Sequence, residues 1–171
     1  SSDVCSSDLK QLHHLHRPDR LSDFEIFLVK VGRLFGAKEK RYLNEWMVRA
    51  IAFTPDSRLV VSAADNCALI RDVASGKELA ECNAGEKNIT CIAISPDGRT
   101  LATGDEGRMI RLWDIPSGRQ LAFWEAHDAE VTAVAFSPDG RTLATGCDDG
   151  TFKLWNLPTI RRKLSAMGLD W

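Results

Sequence analysis

Three stretches of this chain are copies of one another. VRAIAFTPDSRLVVSA begins at Val48, ITCIAISPDGRTLATG at Ile89 and VTAVAFSPDGRTLATG at Val131. Pro55, Pro96 and Pro138 mark them, 41 and 42 residues apart. A second block follows each copy: LIRDV from Leu69, RLWDI from Arg111 and KLWNL from Lys153. Asp72, Asp114 and Asn156 in these blocks are spaced 42 and 42. A period of this length means stacked units, none of which buries its apolar face alone.

Within a unit the pattern is that of short strands. Val131, Ala133 and Ala135 alternate with Thr132, Val134 and Phe136, a run suited to a half- or fully buried strand. Ser-Pro-Asp-Gly supplies a tight turn, because Pro fixes φ at its second position and Gly relieves its end. Thr142 to Gly146 returns as a second strand, and the Asp148-Asp149-Gly150 turn leads into a third, Thr151 to Trp155. After Pro-Ser-Gly-Arg at 116–119, Gln120 to Trp124 makes a fourth. Four antiparallel strands per ~40–45 residues is the blade of a β-propeller. The expected fold is all-β: a propeller fragment of about three four-stranded blades and a short C-terminal helix.

At these residues the chain resembles the WD-repeat β-propeller family. The third copy carries His127, then SPDGRTLATG, then Asp149, then Trp155-Asn156. The family's Gly-His and Trp-Asp dipeptides are Ala126-His127 and Trp155-Asn156 here. The resemblance covers 44–157, divided as 44–83, 84–125 and 126–157. It implies a toroidal scaffold that binds other proteins and rarely catalyses. It also implies a buried hydrogen-bond brace of Trp155, Thr145, His127 and Asp149. The residue types suit that role: an indole N–H only donates, a hydroxyl does both, an imidazole relays and a carboxylate terminates. A Ser/His/Asp-like set also invites a hydrolase reading, but no GxSxG elbow is present. These residues are therefore expected to be structural, with no catalytic residue, cofactor or metal.

The other two copies depart from that set. Copy two keeps Trp113 and Thr103 but has Gly85 and Gly107 in place of His and Asp. Copy one has Asn44, Ser62 and Asn66, with Arg71 in place of Trp. A buried Arg without a partner is costly, so Arg71 should snorkel or pair with an acid. His13, His14 and His16 lack a carboxylate or cysteine at fixed spacing, and an exposed polar segment accounts for them better than a metal site. Segment 10–43 reads as divergent, with FEIFLVKV at 24–31 a strand from the remnant of a preceding blade and Lys38 to Leu43 an outer strand. In 158–171, Ile160, Leu164 and Met167 have helical spacing, with Thr159 as expected cap and Gly168 as expected end. Arg161, Arg162 and Lys163 form the solvated face of this helix, which should pack on the last blade.

Composition narrows the function. The 171 residues carry 22 Lys+Arg against 24 Asp+Glu, a net charge of −2, which draws the chain to neither nucleic acid nor an anionic membrane. Apolar runs such as IFLV and AVAF fall far short of the ~20 residues of a membrane span. The five cysteines, at 5, 67, 82, 91 and 147, form no CxxC pair, which suits a reducing, cytoplasmic setting. Ser1 to Leu9 shows no secretory signal, and there is no starting Met. SSDVCSSDL at 1–9 matches the translation of a short-read sequencing adapter, so a processing scar and a gene cut off upstream are expected. An abrupt C-terminus is also expected, and the regular repeats resemble bacterial ones.

Two functions follow. The first is a non-catalytic protein–protein interaction scaffold. The alternative is the docking or sensory propeller of a larger enzyme, such as a bacterial protein kinase or protease. In either, loops at the blade rims would bind the partner. One rim should hold Glu86, Asp128 and Glu130 in the loops before each first strand. The same rim should hold Asp65, Glu106 and Asp148 between second and third strands, only partly offset by Lys87 and Arg108. The partner expected there is a basic peptide or protein surface, with no nucleic acid and no membrane.

Overall fold

Among the described residues the local signals resolve into eleven strands. The computed structural model describes residues 48–166. β1 (Val48–Phe53), β2 (Leu59–Ala64), β3 (Cys67–Asp72) and β4 (Glu78–Asn83) form an antiparallel sheet in chain order. β5 (Ile89–Ile94), β6 (Thr100–Asp105), β7 (Met109–Asp114) and β8 (Gln120–Glu125) repeat it. β9 (Val131–Phe136), β10 (Thr142–Cys147) and β11 (Phe152–Asn156) make a third sheet of three strands. The chain then enters α1 (Leu157–Ala166), where the first two blades have a turn and a fourth strand. The segments 1–9, 10–43 and 44–47, the three early histidines and Gly168 lie outside the described residues.

Pro55, Pro96 and Pro138 fall in the same connection of each blade, between its first and second strands. The registers are equivalent too. Gly104 stands opposite Ile110 and Ala102 opposite Leu112, as Gly146 stands opposite Phe152 and Ala144 opposite Leu154. Because strand side chains alternate between faces, this equivalence fixes which face each residue takes.

Two apolar cores lie between neighbouring blades. The first joins Val61, Ala63, Ala68, Ile70 and Cys82 of blade one to Ile89, Leu101 and Trp113 of blade two. The second joins Ala102, Ile110, Leu112 and Ala122 of blade two to Val131 and Leu143 of blade three, with Val134, Phe136 and Trp155 packed against it. Each tryptophan on a third strand thus faces the preceding blade. Trp124 and Trp155 meet across the second interface, with ring centroids 5.4 Å apart and planes tilted by 59°. Gly104 is required at this contact, because a Cβ there would lie 2.6 Å from Val131 Cγ1.

The helix cap differs from the sequence expectation. Asn156 Oδ1 accepts the Thr159 backbone N–H at 2.9 Å, so Asn156 caps α1 and Thr159 lies within its first turn. Pro158 in that turn needs no hydrogen-bond partner for its nitrogen, which lets the helix start at once after β11. Arg161, Arg162 and Lys163 are exposed, while Leu157 and Leu164 pack against the second core.

Candidate functional site

The brace residues of blade three largely meet. Trp155 Nε1 donates to Thr145 Oγ1 at 2.9 Å, and His127 Nε2 lies 2.7 Å from the same oxygen. Asp149 does not extend the chain: its Oδ1 takes the Cys147 thiol at 2.7 Å and the Thr151 backbone N–H at 2.8 Å, closing its own turn. Those bonds, the thiol's first, bring the Asp149 carboxyl down to about 2. His127 Nδ1 is buried with no partner among the described residues. Burial, followed by the nearby Lys153 charge, lowers the imidazole from its ordinary 6.5, so the ring is neutral near pH 7. Lys153 Nζ donates to the Ala126 carbonyl at 2.8 Å.

Blade two keeps half of this set and replaces the rest. Trp113 Nε1 donates to Thr103 Oγ1 at 3.0 Å, both side chains buried. An ion pair of the buried Asp105 with the half-buried Arg111 stands beside it, and Asp105 also accepts the Met109 N–H at 3.0 Å. A side chain at Gly107 would crowd this pair, since its Cβ would lie 2.9 Å from Lys87 Cγ and 3.1 Å from Asp105 Oδ1. In blade one Arg71, almost fully buried, pairs with Glu78 across β3 and β4 at 3.1 Å. That is the acid partner its burial requires.

Acids on the two rims live in different circumstances. In the turns holding Pro55, Pro96 and Pro138, the hydroxyls of Thr54, Ser95 and Ser137 donate to Asp56, Asp97 and Asp139 at 2.6, 2.5 and 2.6 Å. The same carboxylates accept backbone N–H groups of Arg58, Arg99 and Arg141 at 3.1, 3.0 and 3.0 Å. All three carboxyls are held below the usual carboxylate range, chiefly by those hydroxyls. These acids build turns.

The opposite rim is formed by two sets of loops that bond to each other. Ile89 N–H donates to the Asp65 carbonyl at 2.6 Å, Glu106 N–H to Asn88 at 3.0 Å, and Asp148 N–H to Glu130 at 3.0 Å. Asp65, Glu86, Glu106, Asp128, Glu130 and Asp148 therefore share one rim. Sequence reasoning missed one connection there. Glu106 is engaged, taking Arg49 Nη1 at 2.9 Å from blade one and Asn88 Nδ2 at 3.2 Å. Arg108 is tied to Glu125 at 2.8 Å. The side chains of Asp65, Glu86, Asp128, Glu130 and Asp148 make no hydrogen bond or ion pair among the described residues. No group of three or more His, Cys, Asp or Glu side chains there is placed to hold a metal, and no described helix is long and apolar enough to cross a membrane.

The model of the WD domain, G-beta repeat, matches residues 39–72, 76–114 and 118–156, well over half of the chain. This chain belongs to the WD40-repeat family. The human U3 small nucleolar RNA-interacting protein 2 is 30% identical over 82 residues, covering 41% of this chain and 17% of that protein. The zebrafish intraflagellar transport protein 122 homolog is 29% identical over 69 residues, covering 40% of this chain and 6% of that one. Among solved structures, the RRP9 WD40 repeats align with a TM-score of 0.64 at 28% identity, over 68% of this chain and 37% of that chain. The U3-55K structure aligns with the same TM-score at 27% identity, over 68% of this chain and 38% of that chain. The WD40 chain described here thus spans a small part of the relatives it matches. Those relatives are human, mouse and zebrafish proteins, which gives no support to a bacterial source.

Proposed function

We propose that this WD40 segment is a non-catalytic platform for protein association, and that its partner is a basic peptide or basic protein surface seated on the acidic rim. The contrast between the two rims carries the reading. Where an acid is needed for a turn, its carboxylate is consumed by a hydroxyl and a backbone N–H. Five acids on the other rim serve no such purpose among the described residues, and they recur with the repeat. Unengaged carboxylates on a rigid frame attract cations over a range of about one Debye length, ~8 Å at physiological salt. The same field repels phosphate, which supports a protein partner over a nucleic acid at this rim, although a matched human relative is named for a small nucleolar RNA. That name also lends nothing to a cytoplasmic location, which rests here on the four free cysteines of the described residues.

The His127–Thr145 pair supports the non-catalytic reading. Both side chains are buried, and the hydroxyl is occupied by the Trp155 indole and the imidazole.

The test is binding of a fluorescent lysine-rich peptide and of a single-stranded RNA, each at low and high salt. Asp65→Lys with Asp148→Lys should weaken the peptide at least tenfold at low salt. Asp139→Asn, which removes a charge from the opposite rim, should change little. Equal losses from both rims, or RNA preferred to the peptide, would overturn the proposal.

A further inference from the structure

Blades one and two add a fourth strand after the same turn, and blade three begins that turn without finishing it. Asp72, Asp114 and Asn156 each accept the backbone N–H three residues on, from Ser75, Ser117 and Thr159, at 2.7, 3.1 and 2.9 Å. In blades one and two the next residue is a glycine. Gly76 and Gly118 donate back to the Asp72 and Asp114 carbonyls, both at 2.8 Å, and with φ 69° and 68° they reverse the chain into β4 and β8. Gly118 also has no room for a side chain, since a Cβ there would lie 2.9 Å from Ala80 Cβ. Blade three has Ile160 at this position. A β-branched residue is strongly strained at such a φ, so the capped turn runs on as α1. The residues that follow do not suit the strand either. Leu164 falls where Ala80 and Ala122 stand, and in α1 it packs against the second core instead.

β11 is thereby left as an edge, paired with β10 alone among the described residues. Phe152 and Leu154 on it are 74% and 65% exposed. Charge commonly guards an edge strand against pairing. The outer edges made by β4 and β8 carry Glu78, Glu81 and Glu125, whereas β11 carries no acid and the Lys153 amine is tied to the Ala126 carbonyl. The two complete blades show what belongs on such an edge. Ala80 stands opposite Ile70 and Cys82 opposite Ala68; Ala122 stands opposite Leu112 and Trp124 opposite Ile110. Directly opposed residues share a face of the sheet. Leu154 and Phe152 are the equivalents by register of Leu112 and Ile110. Both fourth strands read Leu-Ala-x-(Cys or Trp), a run found at no third place in the sequence.

We infer that the open edge of β11 takes an extended segment of a partner protein as an antiparallel fourth strand, with alanine opposite Leu154 and an apolar residue opposite Phe152. Main-chain hydrogen bonds to the edge supply the affinity, and the small residue beside Leu154 sets the register. This site asks for no charge on the partner, so it is separable from the association proposed for the acidic rim.

The probe is fluorescein-labelled Gln-Leu-Ala-Phe-Trp-Glu-Ala, the sequence of 120–126. Its binding to the full chain is read by fluorescence anisotropy, and amide deuterium exchange of the chain is compared with and without it. The peptide has no cationic side chain, so the acidic rim does not attract it. It should bind saturably and slow exchange in 152–156, leaving β4 and β8 unchanged. A second peptide with proline at both the Ala122 and Phe123 positions should bind about tenfold more weakly or worse. Successive N–H groups of a strand point to opposite edges, so one of the two prolines removes a donor to β11. Leu154→Asp in the chain should weaken the first peptide about tenfold, with unchanged far-UV circular dichroism establishing that the variant folds. Absence of binding, as when another segment already fills the edge, would overturn the inference. So would equal binding of the two peptides, or slowed exchange that falls on β4 or β8 and spares β11.

Discussion

Replacing Thr103 with Val keeps the shape of a side chain that is 1% exposed and removes the acceptor for the Trp113 indole, itself 3% exposed. Water cannot reach the orphaned N–H, so the cost is its full desolvation, about 1–3 kcal/mol. Trp113→Phe removes the donor and part of the ring, leaving a void against Leu101 and Ile115; its cost is also on the order of a few kcal/mol. The two losses share one hydrogen bond, so they are not independent. The double variant has neither an orphaned indole nor a hydroxyl deprived of its donor, and should be less destabilised than the sum by about 1 kcal/mol. Urea unfolding followed by far-UV circular dichroism measures all four corners of this cycle without relying on the altered fluorophore. Additivity to within about 0.4 kcal/mol would refute the idea that this bond holds the blade together. In blade three, Thr145→Val deprives both Trp155 and His127. Trp155 is only half-buried and water repairs part of the loss, but His127 has no such access, so the total should at least equal that of Thr103→Val.

His127 is held neutral in the folded chain, whereas the unfolded chain takes up a proton near 6.5. Stability should therefore fall as pH drops below about 6.5, levelling off once the folded ring also protonates, and His127→Gln should flatten that slope in urea midpoints measured from pH 5 to 8. Gly104→Ala drives a methyl group against Val131 and should cost about 1–3 kcal/mol by the same urea measurement. Ser57 has φ 59° where Gly98 and Gly140 have 71° and 68°. Ser57→Gly should relieve left-handed backbone strain and raise stability by ~1 kcal/mol, and an unchanged or lower thermal midpoint would contradict this.

The parts of the molecule that were legible in the sequence are those whose causes are local. A hydroxyl, a proline, an aspartate and a glycine, or Ser57 in the first copy, carry their turn with them, and all three such turns fall between first and second strands. The Trp155–Thr145 bond was legible only through the resemblance to the WD-repeat family, which implied the brace. What the pattern hid depends on pairing through space. Arg49 reaches Glu106 from the neighbouring blade, and Asp105 with Arg111 stands beside Gly107. The available signal was that Asp105 and Arg111 occur together in copy two, where Gly85 and Gly107 replace His and Asp. Asp149 was read as the end of the brace, yet the nearer Cys147 thiol and Thr151 N–H claim it. The cap was misplaced for a related reason: Thr159 and Asn156 both suit it, and only the end of β11 decides between them.

Blade two is the described blade with a neighbour on each side, joined to blade one by the first core and to blade three by the second. In units that contact only their neighbours, opening a blade costs its own stability plus each interface it breaks. Among the described residues, opening blade one or blade three breaks one of these interfaces and opening blade two breaks both. Amide hydrogens of β6 and β7 should therefore be the last to exchange with solvent deuterium, and those of β2, β3 and β10 should exchange sooner. Among the described blades, opening would run from blades one and three toward blade two, with the Trp113–Thr103 bond among the final contacts to part.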